Sequence, residues 1–348
     1  MFARRSTPHP FRTADARLAC SRPAHHTVLA RPRRIEVSGS MNSRSLLTSP
    51  ASRRLLRPVA DLIDQRIERR VRAAAAAGGA DRERLREAVE VMERQRLTLD
   101  LLLGSSGRGL SRIVSPGPLN RLHAEVAELA GDRDAAVRNV AAAYRLLVAL
   151  ESLGVGRIAG GTMNICGKLG TIPLLDPPND EVLEIGTLYG MFSAGLIRMM
   201  ERDGRSPSVT IVDPFAGVQL QPGTPRRSDP SGTPVDEHAV RTNLALAGPA
   251  GAAARIQRGF SEDPGTRAAV SDRRYGVIVV DGDHSAEGVA RDLEWAEEIA
   301  APGAIVVLDD FGDPKWPGIK EALDKHLTGD TRFTYLGKAA LSAFLRAS

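Results

Sequence analysis

The stretch Tyr275-Gly-Val-Ile-Val-Val-Asp281 is an apolar, β-branched run that ends in a carboxylate. A second run of the same kind, Ala304-Ile-Val-Val-Leu-Asp309-Asp310, follows it. Runs this apolar are typical of strands buried on both faces, as in the parallel sheets of α/β proteins. The segment 286–300 between them has the pattern of one crossover helix. A right-handed crossover would make the two strands neighbours, with their carboxylates at the same edge of the sheet.

Asp281, Asp309 and Asp310 are therefore expected to converge on one point. Three carboxylates at one point repel one another unless a cation or a proton lies among them. The carboxyl ends of the strands are also where open α/β sheets bind ligands. The sequence thus predicts a hard divalent metal ion in an active site at this edge.

The charge of the chain is unevenly distributed. The 348 residues carry a formal net charge of +5. Residues 1–45 hold nine arginines against Asp15 and Glu36, so they contribute about +7 and leave about −2 for the remainder. The basic character belongs to this tail, and nothing in the body indicates a nucleic-acid partner.

Cysteine usage and apolar run lengths limit the class of protein. Cys20 and Cys166 are the only cysteines, so a disulfide is not expected and a cysteine-based zinc site is excluded. No apolar run reaches 18 residues, so no stable membrane insertion is expected, and we predict a cytoplasmic protein. The Arg-rich tail is either disordered, a transit-type leader, or an over-extended start that precedes Met41.

The chain is predicted to have three regions: a basic tail over 1–45, a helical subdomain over 46–155 and an α/β domain over 156–348. Apolar residues at helical spacing predict helices over 55–71, 81–103, 120–130 and 132–153. Between them, Pro116-Gly-Pro118 is interpreted as part of a linker. We expect this subdomain to build a homodimer or higher homo-oligomer, or to cover the acceptor site; a membrane-surface helix over 53–72 is the alternative.

From about residue 156 the pattern alternates between strand and helix. This alternation predicts the α/β class, with a doubly wound, mostly parallel sheet. The last two apolar runs, 333–336 and 340–345, are separated by the short segment Gly337-Lys338. That connection is too short for a crossover, so an antiparallel C-terminal hairpin is expected at one edge of the sheet.

The first strand of the domain ends in Val182-Leu-Glu184-Ile-Gly186-Thr187-Leu-Tyr-Gly190. A glycine-bearing turn between strand and helix lets a ligand approach the backbone closely. Leu188 stands where a dinucleotide-binding turn has its middle glycine, and an acid precedes the turn, so a cationic ligand fits better than a diphosphate. Asp213, at the tip of the next strand, has the position of a ribose-binding acid. A nucleoside that is positively charged and lacks phosphates, S-adenosylmethionine, satisfies both conditions.

Five motifs together carry a resemblance to a known family. They are Glu184-Ile-Gly-Thr-Leu-Tyr-Gly190, Val212-Asp-Pro-Phe215, Gly259-Phe-Ser261, Val280-Asp-Gly-Asp-His284 and Leu308-Asp-Asp310. The set resembles the class I methyltransferase fold, which is Rossmann-like. It is most similar to the metal-dependent small-molecule O-methyltransferases of the catechol, caffeoyl-CoA and macrocin types. The resemblance covers residues 157–348.

The resemblance implies a donor site and a metal site. Gly186, Thr187 and Gly190 would form the donor-binding turn behind Glu184. Asp213 would hold the ribose, and Phe215 and Ser261 would flank the adenine. The implied ligands of Mg²⁺ or another divalent cation are Asp281, Asp309 and Asp310. The metal would bind the substrate hydroxyl and lower its pKa.

Two departures from the catechol type bear on the acceptor. Asp310 stands where the catechol type has Asn, and His284 stands where that type places a catalytic Lys. A histidine there suits a general base at neutral pH, so His284, with Asp281, is the predicted catalytic residue. Both departures favour an aliphatic or sugar hydroxyl, on a natural product or a polysaccharide, over a catechol.

Several residues keep two interpretations. Asp283 is either support for the ligands or a helix cap, and His284 could also cap that helix or contact the donor. His238 is expected on a helix surface. Lys168 is either a surface lysine in a loop or part of a segment that closes over the donor. The long loop 216–236, with Arg226-Arg227, is either solvated or a lid for an anionic acceptor.

The rival functions are a hydroxylase-like relative that keeps the donor and metal motifs, an NAD-dependent oxidoreductase, and a non-catalytic interaction protein. The missing middle glycine argues against the oxidoreductase.

Overall fold

The structure is a computed structural model that describes residues 64–69, 71–72, 79–104, 111–218, 220–221 and 232–348. The predicted tail 1–45, Cys20, Met41, most of the helix over 55–71 and Arg226-Arg227 lie outside these residues. Backbone packing divides the chain into residues 1–82 and 83–348. In the first unit, residues 64–69 and 71–72 are helical.

The helices follow the sequence predictions closely, with three additions. Ten further α-helices are described: α1 Gly79–Leu103, α2 Pro116–Ala130, α3 Arg133–Leu153, α4 Thr162–Thr171, α5 Met191–Arg202, α6 Glu237–Leu244, α7 Pro249–Ala252, α8 Pro264–Val270, α9 Ala286–Ile299 and α10 Pro317–Thr328. The helices α4, α7 and α8 were not predicted, and α2 begins inside the segment interpreted as a linker. Proline is well suited to the first turn of a helix, where its missing N–H has no partner to lose.

Seven strands form one sheet in the order β3-β2-β1-β4-β5-β7-β6. They are β1 Glu181–Ile185, β2 Ser208–Asp213, β3 Arg255–Arg258, β4 Tyr275–Val280, β5 Ala300–Leu308, β6 Phe333–Ala339 and β7 Ser342–Ala347. The first five are parallel, and β7 runs antiparallel to both β5 and β6. The predicted fold class, with neighbouring β4 and β5 and a C-terminal antiparallel hairpin, is confirmed.

The turn of the hairpin is not where the sequence placed it. Ala339 pairs with Ser342, so the turn is Ala340-Leu341, with Ala340 in the left-handed region at φ 52°. Gly337 instead lies at a register shift within β6. Gly337 adopts φ 146°, and a bulge in a strand is a second place where glycine is favoured.

The sheet is buried on both faces, as its apolar strands require. Alternate residues of the central strands, such as Val277 and Ile278, belong to two different hydrophobic clusters. One cluster contains side chains of α2, α3, α4 and α5, and the other contains those of α9 and α10. The helices α2 and α3 therefore share a core with the sheet. The division of the chain at residues 45 and 155 stays a prediction.

No helix within the described part of the chain is long and apolar enough to cross a membrane.

Candidate active site

A cavity of about 670 Å³ lies at the carboxyl ends of the parallel strands. This is the edge at which open α/β sheets bind ligands, and the volume is typical of small-molecule sites. Of the predicted site residues, nine line the cavity: Glu184, Gly186, Thr187, Asp213, Ser261, Asp281, His284, Asp309 and Asp310. Both the predicted donor half and the predicted acidic cluster therefore face one space.

The donor turn is held by glycines at positions that exclude a side chain. Gly186 has φ 80°, and a Cβ there would collide with the carbonyl of Asp281. Gly190 has φ 72° and begins α5, and a Cβ on it would lie 2.8 Å from Cγ1 of Val240. Left-handed backbone and close approach both favour glycine. The turn after β1 thus packs directly on the tip of β4.

Glu184 is a buried carboxylate at the end of β1. Its Oε2 accepts hydrogen bonds from the hydroxyls of Thr187 (2.6 Å) and Ser193 (2.5 Å). Burial raises the pKa of Glu184 to about 7, although the two hydroxyls and Lys168 act in the opposite direction. A carboxyl group with this pKa is only partly ionised at neutral pH, so a cationic ligand beside it would stabilise its anionic form.

Asp213 organises the same turn from the tip of β2. Its Oδ2 accepts from the backbone N–H groups of Thr187 (2.9 Å) and Leu188 (3.4 Å), and its Oδ1 accepts from that of Phe215 (2.7 Å). Burial raises the pKa of Asp213, and these three bonds oppose the rise. A carboxylate has about four acceptor positions, so roughly one is left for a ligand hydroxyl.

The two residues predicted to flank an adenine ring have different surroundings. Ser261 lines the cavity. Phe215 is 4% exposed and belongs to the hydrophobic core instead of the cavity wall. Phe215 does not line the cavity in this structure, and its adenine contact stays a prediction.

Asp292, on α9, is a cavity residue that the sequence did not indicate. It is 1% exposed, and its Oδ2 makes no hydrogen bond with any described atom. The Arg267 guanidinium lies 4.0 Å from Oδ1. Burial raises the pKa of Asp292 to about 6, against the lowering effect of the Ser261 hydroxyl and Arg267. A buried acceptor without a partner beside a cavity is available to a ligand.

The acidic cluster forms as predicted, since the strand ladders continue to the tips. The N–H of Asp281 donates to the Ile185 carbonyl (2.9 Å), and that of Asp309 donates to the Val280 carbonyl (3.0 Å). Asp309 is 5% exposed. The cation among these carboxylates is Lys168, whose ammonium pairs with Asp309 Oδ2 and lies 3.8 Å from Asp281 Oδ2.

Two neutral groups complete the surroundings of Asp309. Its Oδ1 accepts from Asn164 Nδ2 (2.8 Å) and from the Ser342 hydroxyl (3.0 Å). Asn164 and Lys168 are four residues apart on α4, so they lie on one face of that helix. Burial would raise the pKa of Asp309, but the ammonium and these bonds lower it to about 2. Asp309 is accordingly ionised, and both of its carboxylate oxygens have partners.

Asp281 and His284 form a second pair beside Asp309. His284 Nε2 lies 3.4 Å from Asp281 Oδ1, and His284 Nδ1 lies 3.8 Å from Asp310 Oδ2 without a hydrogen bond among the described atoms. The Trp316 ring packs edge-on against the imidazole, with centroids 4.9 Å apart. The Asp281 side chain is 27% exposed and that of His284 is 9% exposed, so the carboxylate is the more accessible member of the pair.

The cluster holds more negative charge than Lys168 neutralises. Burial and the neighbouring Asp309 raise the pKa of Asp281 to about 6. Burial, Asp309 and Asp281 raise that of Asp310 to about 7. Burial lowers the pKa of His284, but Asp281 and Asp310 outweigh it and the net shift is upward. Groups that exchange protons near neutral pH are suited to general acid–base catalysis.

The arrangement does not fit the predicted magnesium ion as it stands. In the described part of the chain, no group of three or more His, Cys, Asp or Glu side chains is placed to hold a metal. The oxygens of Asp309 are taken by an ammonium, an amide and a hydroxyl. The ligand set Asp281, Asp309 and Asp310 stays a prediction.

The remaining predicted residues have simpler roles. Asp283 is exposed and accepts from the N–H (2.8 Å) and hydroxyl (2.9 Å) of Ser285, the residue whose hydroxyl caps α9. His238 is exposed on α6, as predicted. Lys168 is buried in α4, so its interpretation as a surface lysine in a loop is wrong, whereas its place in a segment that closes over the donor stays a prediction.

Comparison with known families decides the assignment. Residues 183–311 match the family model for a methyltransferase domain. This span runs from the donor strand to the end of the acidic cluster. The chain contains a methyltransferase domain. The predicted resemblance to the class I, S-adenosylmethionine-dependent methyltransferases is thereby confirmed.

Solved structures similar to this methyltransferase include other methyltransferases. The O-methyltransferase NovP is 20% identical, with 67% of this chain and 100% of that chain covered and a TM-score of 0.41. The calicheamicin methyltransferase CalS11 is 16% identical, with coverages of 67% and 94% and a TM-score of 0.39. TomG from Streptomyces achromogenes, an O-methyltransferase, is 15% identical, with coverages of 60% and 90% and a TM-score of 0.38. No curated protein matches this methyltransferase.

Proposed function

We propose that this methyltransferase transfers a methyl group to a hydroxyl group of a small molecule, a sugar or a natural product. One observation carries the proposal: the donor turn behind Glu184 and the proton-exchanging pair Asp281–His284 line the same cavity. Methyl transfer to a hydroxyl requires a bound donor and a group that removes the hydroxyl proton. Both lie within one ligand-sized space at the strand ends.

The residues around the donor turn fit S-adenosylmethionine, which supplies the activated methyl group when bound. Glu184 provides negative charge for a cationic donor, and Gly186 allows close approach to the backbone. Asp213 has about one acceptor position for a ribose hydroxyl. The unpartnered Oδ2 of Asp292, near Ser261, is available to the amino group of an adenine ring. Leu188, at φ 54°, stands where a phosphate-binding turn requires glycine.

Proton removal is assigned to the Asp281–His284 pair. The acceptor hydroxyl approaches Asp281, because this carboxylate is more exposed to the cavity than the imidazole. Its pKa near 6 leaves it ionised at neutral pH, and His284 holds Oδ1 and shares the charge. Trp316 packs on His284 and faces the same cavity, which favours an acceptor with an apolar part.

Calorimetry with S-adenosylhomocysteine and with NAD tests the donor. We expect S-adenosylhomocysteine to bind with one site per chain and NAD to give no heat. Binding of NAD alone would replace this proposal with the oxidoreductase, and binding of neither would support a non-catalytic protein.

Incubation of a metabolite extract with methyl-labelled donor tests the acceptor. A methyl ether is stable to mild base, so label on a hydroxyl group is retained after alkaline treatment. Label released as methanol would indicate transfer to a carboxylate and contradict the proposal.

A further inference from the structure

Lys168 has the surroundings of a fixed structural cation. Its side chain is 3% exposed, and its ammonium pairs with Asp309 and lies 4.7 Å from the centroid of the Phe192 ring. A lysine ammonium is a compact, strongly hydrated charge that is rarely buried without a partner. Here the carboxylates of Asp309 and Asp281 replace its water.

The helix that carries Lys168 is positioned by close packing. A Cβ on Gly167 would lie 3.2 Å from Leu122, and one on Gly170 would lie 3.4 Å from Val140. These two glycines let α4 approach α2 and α3 closely. The close packing of α4 thus fixes the position of Lys168 beside the carboxylates.

The same helix engages both oxygens of Asp309. Asn164 donates to Oδ1 while Lys168 pairs with Oδ2. A divalent ion bound to Asp309 would have to displace this amide or lie beside the ammonium, where like charges repel. The position at which the acidic tips meet is therefore already filled by a cation of the protein's own.

We propose that Lys168 is the built-in cation of this site, and that it neutralises Asp309 and Asp281 in place of a divalent metal. It acts as a positioning residue, because its ammonium lies 3.8 Å from Oδ2 of Asp281, whereas His284 lies beside Oδ1. Methyl transfer by this protein then requires no divalent ion. The catalytic part of this inference rests on the proposed function, whereas its metal-binding part does not.

Titration with Mn²⁺, followed by electron paramagnetic resonance, tests the metal-binding part on the full chain. We expect the wild type to bind no stoichiometric Mn²⁺ at micromolar concentrations. The variant Lys168→Met should bind one Mn²⁺ at least tenfold more tightly, because the carboxylates lose their counter-charge. Lys325→Met, which removes an exposed lysine from α10, is the matched control and should behave as the wild type.

Two results would overturn the inference. One is stoichiometric, micromolar Mn²⁺ binding by the wild type, which needs no variant and remains decisive even if Lys168→Met fails to fold. The other is a folded Lys168→Met that gains no affinity for Mn²⁺, which would show that Lys168 is not what excludes the ion.

The positioning role is tested by methyl-transfer kinetics with excess EDTA. We expect full activity of the wild type, a fall in kcat of at least tenfold in Lys168→Met, and partial rescue in Lys168→Arg, which keeps the charge. Affinity for S-adenosylhomocysteine should change much less. Loss of wild-type activity in EDTA would overturn the inference, whereas loss of S-adenosylhomocysteine binding by the wild type would contradict the proposed function instead.

Discussion

Two buried ion pairs in this protein use similar charges in different ways. Arg112 and Glu151 are joined at 2.9 and 2.7 Å, and the side chain of each is at most 1% exposed. The guanidinium also donates to the carbonyls of Ile158 (2.7 Å) and Gly160 (3.0 Å). One positive group meets one negative group, and the other donors find carbonyls. Lys168 and Asp309, by contrast, are surrounded by further acids.

The two pairs differ in what they contribute: the Arg112–Glu151 pair stabilises the fold, and the Lys168–Asp309 pair belongs to the reactive region. A buried pair with matched charge and further hydrogen bonds to two backbone carbonyls holds a segment in place, here residues 157–161 on the cavity wall. The Lys168–Asp309 pair leaves Asp281 and Asp310 with pKa values near neutrality, because one ammonium cannot neutralise three carboxylates. Excess charge of one sign is therefore a mark of the reactive region.

The largest expected effect lies on the reactive side of this comparison. His284→Ala removes the partner of Asp281, so we expect kcat to fall by about 10²- to 10⁴-fold, the usual contribution of a general acid–base group. Affinity for S-adenosylhomocysteine and thermal stability should be nearly unchanged. Methyl-transfer kinetics and calorimetry provide the measurements, with the exposed His238→Ala as the control. Unchanged turnover in His284→Ala would make this histidine structural.

The matched pair should show the opposite behaviour. Arg112→Met leaves Glu151 buried without a counter-charge, and breaking such a pair destabilises a protein by about 3–5 kcal/mol. Turnover per folded molecule should fall less than tenfold. Urea unfolding measures the first quantity, and Arg241→Met, which breaks an exposed pair with Glu237, should lose less than about 1 kcal/mol.

The double variant Arg112→Met/Glu151→Leu sharpens the same point. Replacing both charges by apolar groups removes the unpaired charge, so its free energy of unfolding should lie closer to that of the wild type than that of either single variant. A double variant that is less stable than either single variant would contradict this expectation. It would mean that the hydrogen bonds from Arg112 to the carbonyls of Ile158 and Gly160 contribute more to stability than its ion pair with Glu151.

Glu184 offers a pH-dependent test on the donor side. Burial gives this carboxyl a pKa of about 7, above its ordinary value, so the folded state binds its proton more tightly than the unfolded state. Its contribution to stability is therefore fully present below about pH 4.5 and is lost as the pH rises to about 7. Glu184→Gln should be more stable than the wild type at pH 8, by up to about 3 kcal/mol.

The stability gained by Glu184→Gln should accompany weaker binding of the cationic donor. Unfolding in urea at pH 4.5, 6 and 8 measures the first effect, with the exposed Glu294→Gln as a control. A difference between wild type and Glu184→Gln that does not grow with pH would contradict a raised pKa.

The smallest expected effect concerns Asp292. If its unpartnered oxygen accepts from an adenine amino group, Asp292→Ala should weaken S-adenosylhomocysteine about tenfold, or about 1.4 kcal/mol, and leave kcat at saturating donor nearly unchanged. Calorimetry with S-adenosylhomocysteine and with adenosine measures the loss. Equal affinity in wild type and variant would remove Asp292 from the donor site.

The acidic cluster could be predicted from the sequence because the strands that carry it have a simple apolar pattern. Asp281 and Asp309 follow strands whose apolar character is unmistakable, and a parallel ladder brings such tips together whatever the loops do. The repulsion among three carboxylates also predicted a cation at this point. The sequence could not identify that cation as Lys168, since Gly167 and Gly170 make the segment resemble a loop.

The glycines of α4 show where pattern-based prediction fails in physical terms. In isolation, glycine weakens a helix by roughly 1 kcal/mol relative to alanine. In this fold the same residues permit contact with Leu122 and Val140, and this tertiary packing outweighs the local preference. Asn164, Ser342 and Asp292 were missed for a related reason, because each acquires its role only through partners distant in the chain.

Asp309 gathers partners that lie 145, 141 and 33 residues away along the chain. Closing such long loops is entropically unfavourable until most of the surrounding sheet exists. The centre of this site should consequently be among the last parts of the molecule to form during refolding. Recovery of helical circular dichroism should precede recovery of S-adenosylhomocysteine binding, and a refolding intermediate would present the acids of β4 and β5 before their lysine arrives.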